Sequence, residues 1–483
     1  MLRRRSRSTE ASSPAQLDPA TLGARALLAR WPLHASFDPL FGQTPHLLLA
    51  GLAAPAWAYL DQALQILTYG QALPAVTLLC ADAAATATTL HTRYPHAAQV
   101  VSLRCASLTA PPPLTDAPPV TLVLVCLDDP AAAWTQAQQL AAQITQAQQI
   151  SPLILVELGE HATADCAPRW DGQVLAVSAA QTAQHAAARR ARLSDDIART
   201  IHEHYRDTFE ALGGDPETTS ALQAWASLPD TYRQASRHQA DHLWAKLALI
   251  DCLAVPDDEV EAFAFSSLEV ERLAVIEHQR WAAERYLDGW TYAPERNNAL
   301  KQHPDLIPYA ALNEAGKDKD RFAVRHLTHL LAQSQLGIKR LLIIALDDAP
   351  DMTLTAADAH HLAQTLFARL TARYPDRVLG IASTLRDPVA RQVVQIGLEQ
   401  AQARLFWLVP EVMNPPLTHQ TWLALAACAE RRIVLNGEAE RHRWFATRAE
   451  IGVYLGAAPP EVAPTKQVIR DPLSGQLRWN FDY

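Results

Sequence analysis

The chain has no surplus of positive charge. Lys and Arg number 42 against 51 Asp and Glu, a formal net charge of -9 over 483 residues. Sequence-independent binding to a polyanion needs cationic surface, so DNA and RNA are not expected as partners. No pair of cysteines shows the C-x-x-C spacing of a metal or redox motif. Cys80, Cys105, Cys126, Cys166, Cys252 and Cys428 are scattered, and three of them lie in or beside apolar runs. They read as buried thiols in a reducing, cytoplasmic compartment. The longest apolar run, Leu47 to Leu60, is interrupted by Gly51 and Pro55 and stops at Asp61. That is short of the ~20 residues a membrane span needs. The basic opening "MLRRRSRSTEASSP" is followed by no apolar signal core. Residues 1–42 are therefore expected to be a disordered tail and lead-in.

Catalytic signatures are missing as well. There is no G-x-S-x-G elbow, P-loop, H-E-x-x-H or Gly-rich kinase loop. His202/His204 and His360/His361 stand one or two residues apart in helical stretches. Such neighbours do not share a helix face, so no metal site is expected. Asp128–Asp129 and Asp347–Asp348 follow apolar strands, where α/β enzymes keep catalytic carboxylates. Aspartates at strand ends also cap helices and open turns. The balance leans away from an enzyme, and no catalytic residue is assigned.

What is present is a rhythm. The runs "HLLLAG", "AVTLLCAD", "QVVSL", "VTLVLVCLDD" and "PLILVEL" are separated by helix-length stretches. Short continuous apolar runs of this kind argue for parallel strands buried on both faces. A Rossmann-like unit is placed at residues 43–180. A helical connector follows over 181–255, including "SDDIARTIHEHYRDTFEAL" and a break at Gly213, Gly214 and Pro216. The βα rhythm returns over 340–483 with "RLLIIALDD", "RVLGIAS", "RLFWLVP" and "RRIVLNG". A closing hairpin is expected in "KQVIRDPLSGQLRWNFDY". The fold class is α/β, with two doubly wound parallel sheets flanking a mostly α-helical segment at 256–339.

In open parallel sheets, ligands sit beyond the carboxyl ends of the strands. The first such loop, "LLLAGLAAPAW", keeps Gly51 but has Ala53 and Ala56 where the dinucleotide fingerprint has further glycines. Asp82, after "VTLLCA", stands where an acidic ribose partner would. Both a retained nucleotide site and a decayed structural unit fit. Over Gln43 to Val177 the pattern resembles the Rossmann-type NAD-binding domains of potassium-conductance regulators. The second unit resembles the SLOG superfamily of nucleotide and ADP-ribose binders. In its turn, Ser383, Thr384, Leu385, Arg386, Asp387 and Pro388 replace a glycine-rich sequence. Ser383 and Thr384 are expected to cap the next helix, and Arg386 with Asp387 completes a secondary candidate site.

The segment from Glu277 to Arg321 is set apart by its aromatics and mixed charges. "SSLEVERLAVIEHQRWAAERYLDGW" reads as a helix with Ser266 and Glu269 as a capping box, ending near Gly289. Leu273, Ile276, Ala283 and Leu287 form its core stripe, while Glu277, His278, Trp281 and Arg285 lie on another face. Trp290 and Tyr292 follow the turn, and "KQHPDLIPY" adds Lys301, His303 and Tyr309. Aromatic planes beside cationic donors suit a nucleotide, whose base stacks while its phosphate is held. The same rings also suit the core of a small domain short of aliphatic side chains. The linked motifs E-H-x-R-W, G-W-x-Y, K-x-H-P-D-L-x-P-Y and K-D-x-D-R, the last ending in Arg321, resemble the RyR domain, the ryanodine receptor repeat. This resemblance covers about Phe265 to Lys339. It implies a ligand-sensing protein in a bacterial signalling or antiviral defence setting, binding a nucleotide or ADP-ribose-type molecule. The α/β units would then transmit the event or assemble the chain with itself or a protein partner. An alternative is a nucleotide- or NAD-processing enzyme acting through Ser383, Arg386 and Asp387. A third is a non-catalytic scaffold.

Overall fold

The structure, a computed structural model, describes residues 18–70, 72–115, 117–159, 174–184, 186–211, 215, 219–347, 354–409, 425, 428–456, 463–471 and 474–481. The start of the expected tail, Cys166, Gly213, Gly214, Pro216, Asp348 and Pro472 lie outside them. The lead-in is not disordered beyond that point. Helix α1 (Pro19–Arg30) is capped by Asp18, whose carboxylate accepts from Thr21 N at 3.2 Å. It buries Ala24, Leu27 and Leu28.

The first sheet has strands β1 (His46–Ala50), β2 (Ala75–Cys80), β3 (Ser102–Ser107), β4 (Leu122–Val125), β5 (Leu153–Glu157) and β6 (Val174–Val177). Their order is β3-β2-β1-β4-β5-β6, and every pair is parallel. This is the Rossmann arrangement, with its switch point between β1 and β4. Every residue of β1, β2, β4 and β5 is buried, which explains their unbroken apolar sequences. Helices α2 (Ala54–Ile66), α3 (Ala83–Arg93) and α4 (Pro130–Gln148) supply crossovers. "QVVSL" is not itself the third strand. Ala97–Gln99 forms a tight 3-10 turn, Val100 and Val101 pack into the core, and β3 begins where Ser102 pairs with Ala75.

The connector consists of α5 (Ala179–Gln184), α6 (Ala186–Ala211) and α7 (Asp230–Ala248), and it ends in β7 (Cys252–Pro256). This strand was not legible in the sequence, because its partner lies some eighty residues further on. Next come α8 (Ser267–Leu287), a short parallel ladder of β8 (Thr291–Tyr292) and β9 (Gln302–His303), α9 (Glu314–Arg325) and α10 (Leu327–Ala332). The α8 capping box is present: Glu269 N donates to Ser266 Oγ, and Ser266 N to Glu269 Oε2 at 2.8 Å. Leu273, Ile276, Ala283 and Leu287 are all buried.

Strands β10 (Leu336–Leu346), β11 (Arg377–Ser383), β12 (Arg404–Val409), β13 (Arg431–Val434), β14 (Ile451–Tyr454), β15 (Lys466–Arg470) and β16 (Leu477–Trp479) form the second sheet with β7. Helices α11 (Ala356–Arg373), α12 (Pro388–Gln400) and α13 (Gly437–Arg448) accompany it. The order is β13-β12-β11-β10-β14-β15-β16. Among its described strands, only the final β15–β16 hairpin and the β7–β10 pair are antiparallel. β10 starts four residues before the 340 boundary and pairs Leu336–Arg340 with β7. That ladder welds the aromatic segment to the second sheet. On its other side, one continuous core joins Leu47 and Leu49 of β1, Leu243 and Leu247 of α7, and Leu273 and Ile276 of α8.

Candidate ligand site

Beneath α8 lies a group of buried charges. Glu277 accepts from Lys246 Nζ on α7 and from Arg280 Nη2 at 2.9 Å, while Arg280 Nη1 donates to Glu284 at 2.9 Å. Glu277, Lys246 and Arg280 are each at most 4% exposed. Burial by itself would raise the Glu277 carboxyl, but the charges of Arg280 and Lys246 hold it down at about 2. Next to it, burial works against a charged His278. Its hydrogen bond to Asp320 at 3.2 Å and another to Ile307 O at 2.8 Å prevail and raise its pKa. These groups fix α8 against α7 and α9.

Above them is a cavity of about 460 Å³, walled by α8, the turn after it, and helices α6 and α7 of the connector. Trp281 is partly exposed on this wall, and the His303 ring meets it edge to face at 4.9 Å and 72°. Trp290 is nearly buried and is anchored by its Nε1, which donates to Asp288 at 2.9 Å. The Arg285 guanidinium lies 5.3 Å from the Trp290 ring centroid, and its side chain is 25% exposed. From α6, Tyr205 and Phe209 bring 47% and 42% exposed rings to the same space. So many exposed rings around one cavity is unusual for a surface without a partner.

The charges lining the cavity fall into two kinds. Arg280 is neutralised by Glu277 and Glu284, and Lys319 is held by Asp305 at 3.0 Å. Arg285 stands 3.9 Å from its nearest carboxylate oxygen, on Glu284, and Arg296 donates to the neutral amide oxygen of Asn298 at 2.9 Å. Of these two guanidinium groups on the cavity, Arg285 keeps only this long contact, and Arg296 forms no ion pair among the described residues. Burial lowers the His303 pKa. Its Nδ1 accepts from Asp305 N at 3.0 Å, which leaves the proton of the neutral ring on Nε2.

Of the nine residues expected to bind ligand, His278, Trp281, Arg285, Trp290 and His303 line this cavity. Four others do not. Tyr292 is 55% exposed outside it. Lys301 donates to Asp288 O at 2.7 Å and Oδ1 at 3.0 Å. Tyr309 is buried with its hydroxyl on Glu271 at 3.0 Å. Arg321 is clasped by Glu271, Glu314 and Asp318, all within 3.0 Å. The partners of Lys301 and Tyr309 come from distant turns, which spacing alone does not reveal, whereas Glu314 and Asp318 lie on the same helix as Arg321. Sequence reasoning missed Tyr205, Phe209 and Tyr232 of the connector, and Arg296. Tyr205 and Phe209, four apart on a polar helix, carried a signal of an unpartnered aromatic stripe.

The rings are also released from the duty of forming a small core. The aliphatic cluster shared by β1, α7 and α8 supplies that burial.

The other candidate positions serve local structure. Gly51 has φ +86°, and a Cβ there would stand 2.2 Å from Cys126 O. The N–H groups of Gly51 and Ala53 already donate to Leu79 O and Cys126 O. Asp82 and Asp129 cap α3 and α4 through Ala85 N and Ala131 N. In the second unit the cap of α12 is Asp387, which accepts from Ala390 N at 2.7 Å. Ser383 and Thr384 are not the cap. They are buried at the strand end and accept from Leu385 N and Arg386 N. Thr384 and Arg386 border a notch of about 20 Å³. Asp347 lies 3.5 Å from Arg441 of α13.

Among the described residues, no three His, Cys, Asp or Glu side chains are disposed to hold a metal ion. No described helix is long and apolar enough to cross a membrane. In comparison with known families, residues 266–340 match the family model described as the RyR domain. The match spans α8 through the first residues of β10, and so contains Trp281, Arg285, Trp290, Arg296 and His303 but not the α6 and α7 wall.

Proposed function

We propose that this RyR-type segment, with the connector helices, binds a small phosphorylated metabolite with a flat ring, of the nucleotide or ADP-ribose class, and that the protein acts as a ligand sensor. The observation that carries this reading is the cavity that opens beside Arg285, with Trp281, Trp290 and His303 on one wall and Tyr205 on the other. Its volume of about 460 Å³ falls within the ~300–1,000 Å³ usual for small-molecule sites. An aromatic base stacks on such rings at about 1–3 kcal/mol each. A phosphate pairs with guanidinium groups through charge-assisted hydrogen bonds. Arg285 and Arg296 supply these without first having to break a close ion pair.

Sensing follows from where the walls come from. α8 belongs to the RyR-type segment, whereas α6 follows the first sheet in the chain and α7 shares a core with its strand β1. A ligand in contact with both walls favours their closed arrangement by its differential affinity for it, and that is how binding biases a conformational equilibrium. In this reading the first α/β unit is a support, because the Gly51 and Ala53 N–H groups of its first loop are already bonded within the protein. A bacterial signalling or defence role accords with such a sensor. Calorimetry against cyclic dinucleotides, NAD, ADP-ribose and AMP tests the proposal. A saturable heat with at least one of them, lost in Arg285→Glu, is the expected result. The absence of any saturable heat across the panel overturns it.

A further inference from the structure

A second cavity, of about 530 Å³, lies away from the first, where α1, α7, β7 and the second sheet meet. Arg404 opens β12, Arg431 opens β13 and Leu153 opens β5. The cavity is therefore at the amino ends of strands, opposite to where open α/β sheets take their ligands. Neither candidate site read from the α/β sequences lies there.

Its lining combines flat rings with cations. Trp31 and Trp244 are partly exposed on its wall, and Phe406 forms part of the floor. Arg30 and Arg404 are exposed at the rim, and neither forms an ion pair among the described residues. Arg431 lies deeper, 5.1 Å from the Phe406 ring centroid; it stands 3.8 Å from the Asp251 carboxylate and donates to Ala248 O. That contact matters: the carboxyl end of α7 would repel an anion, and Arg431 already answers it. With Arg432 the lining holds four guanidinium groups and one carboxylate, Glu430; Arg431 is already paired with Asp251, which leaves Arg30 and Arg404 at the rim for an anion. In a chain of net charge -9, such a cationic hollow is a local exception.

We infer that this cavity is a second binding site, for a small aromatic anion: a flat ring carrying a phosphate or a carboxylate. The ring lies against Trp31 or Trp244, and the anionic group meets Arg404 and Arg30 at the rim. Indole faces and guanidinium forks recognise these two features independently. The bound molecule touches α1, the connector and the second sheet at once, so it ties together elements that the chain separates by about 400 residues.

AMP serves as the phosphate probe, nicotinic acid as the carboxylate probe, and adenosine as the uncharged control. All are titrated by calorimetry into the full-length Arg285→Glu variant, in which the first cavity is disabled. At least one anion is expected to bind with one-to-one stoichiometry, and adenosine at least tenfold more weakly. Adding Arg404→Glu lowers that affinity at least tenfold, whereas Arg404→Glu alone leaves the first site intact. Arg404 is exposed and Arg285 partly so, and circular dichroism checks that folding is unchanged. The inference is overturned if neither anion binds the Arg285→Glu protein, or if binding there is indifferent to Arg404→Glu. Failure of the sensor reading looks different: Arg285→Glu then leaves every ligand affinity of the wild-type chain unaltered.

Discussion

Replacing Arg285 by Gln removes a guanidinium that stands over Trp290 at 5.3 Å, faces the cavity, and has its nearest carboxylate oxygen at 3.9 Å. Two costs follow, and they differ in size. A hydrogen bond to a charged group contributes about 1.5–3 kcal/mol, so affinity for a phosphorylated ligand drops about 10- to 150-fold. The fold loses only the stacking of a partly exposed guanidinium on the Trp290 ring, about 0.5–1 kcal/mol. For a chain this long, that corresponds to a fall of about 1 °C in Tm. Calorimetry and a thermal melt of the same preparation separate the two effects. Lys301→Ala is the matched control, because Lys301 is engaged by Asp288 outside the cavity. Affinity unchanged within twofold for Arg285→Gln, or lost equally in Lys301→Ala, refutes the assignment of phosphate to this guanidinium.

Three further outcomes are expected. Gly51→Ala combines a positive φ with a Cβ 2.2 Å from Cys126 O, and should cost at least about 2 kcal/mol; an unchanged melting curve contradicts the structural role of this glycine. Lys246→Met leaves buried Glu277 with Arg280 alone. The expected loss is about 3 kcal/mol in chemical denaturation, partly restored in Lys246→Met/Glu277→Gln, and a loss below about 1 kcal/mol argues against the charge network. Burial lowers His238 to about 4 and His242 to about 3; burial with nearby His204 and His329 lowers His326 to about 4. These groups are neutral when folded but titrate near 6.5 when unfolded, so the stability they permit is complete above pH 6.5 and declines as pH falls toward 4. His278, with its raised pKa, acts in the opposite direction and is outnumbered. Tm should therefore fall between pH 7 and pH 4, and a flat profile counts against buried neutral histidines.

Much of the fold was legible because buried parallel strands advertise themselves. "HLLLA", "AVTLLC" and "LILVE" are wholly apolar, or nearly so, since both faces of those strands are covered. The α8 start was equally legible, because a capping box is a local device whose two partners lie three residues apart. β7 was not, since only pairing with β10 makes it a strand. Thr384 was expected as a cap, but Asp387 won that role by standing next to Pro388, the first helical residue, with its carboxylate free to reach Ala390 N.

The sequence by itself determined that this is a two-sheet α/β protein with an aromatic, RyR-type segment between the sheets. Strand burial, helix periodicity and capping are all decided within a few neighbouring residues. Only the tertiary structure decided which of the nine expected ligand residues share a cavity. Arg321 and Lys301 are occupied by carboxylates, whereas Arg285 is left facing open space. It also decided that α6 and α7 complete the wall. A side chain's availability depends on which distant group reaches it first, and that competition is settled only when the chain has closed on itself.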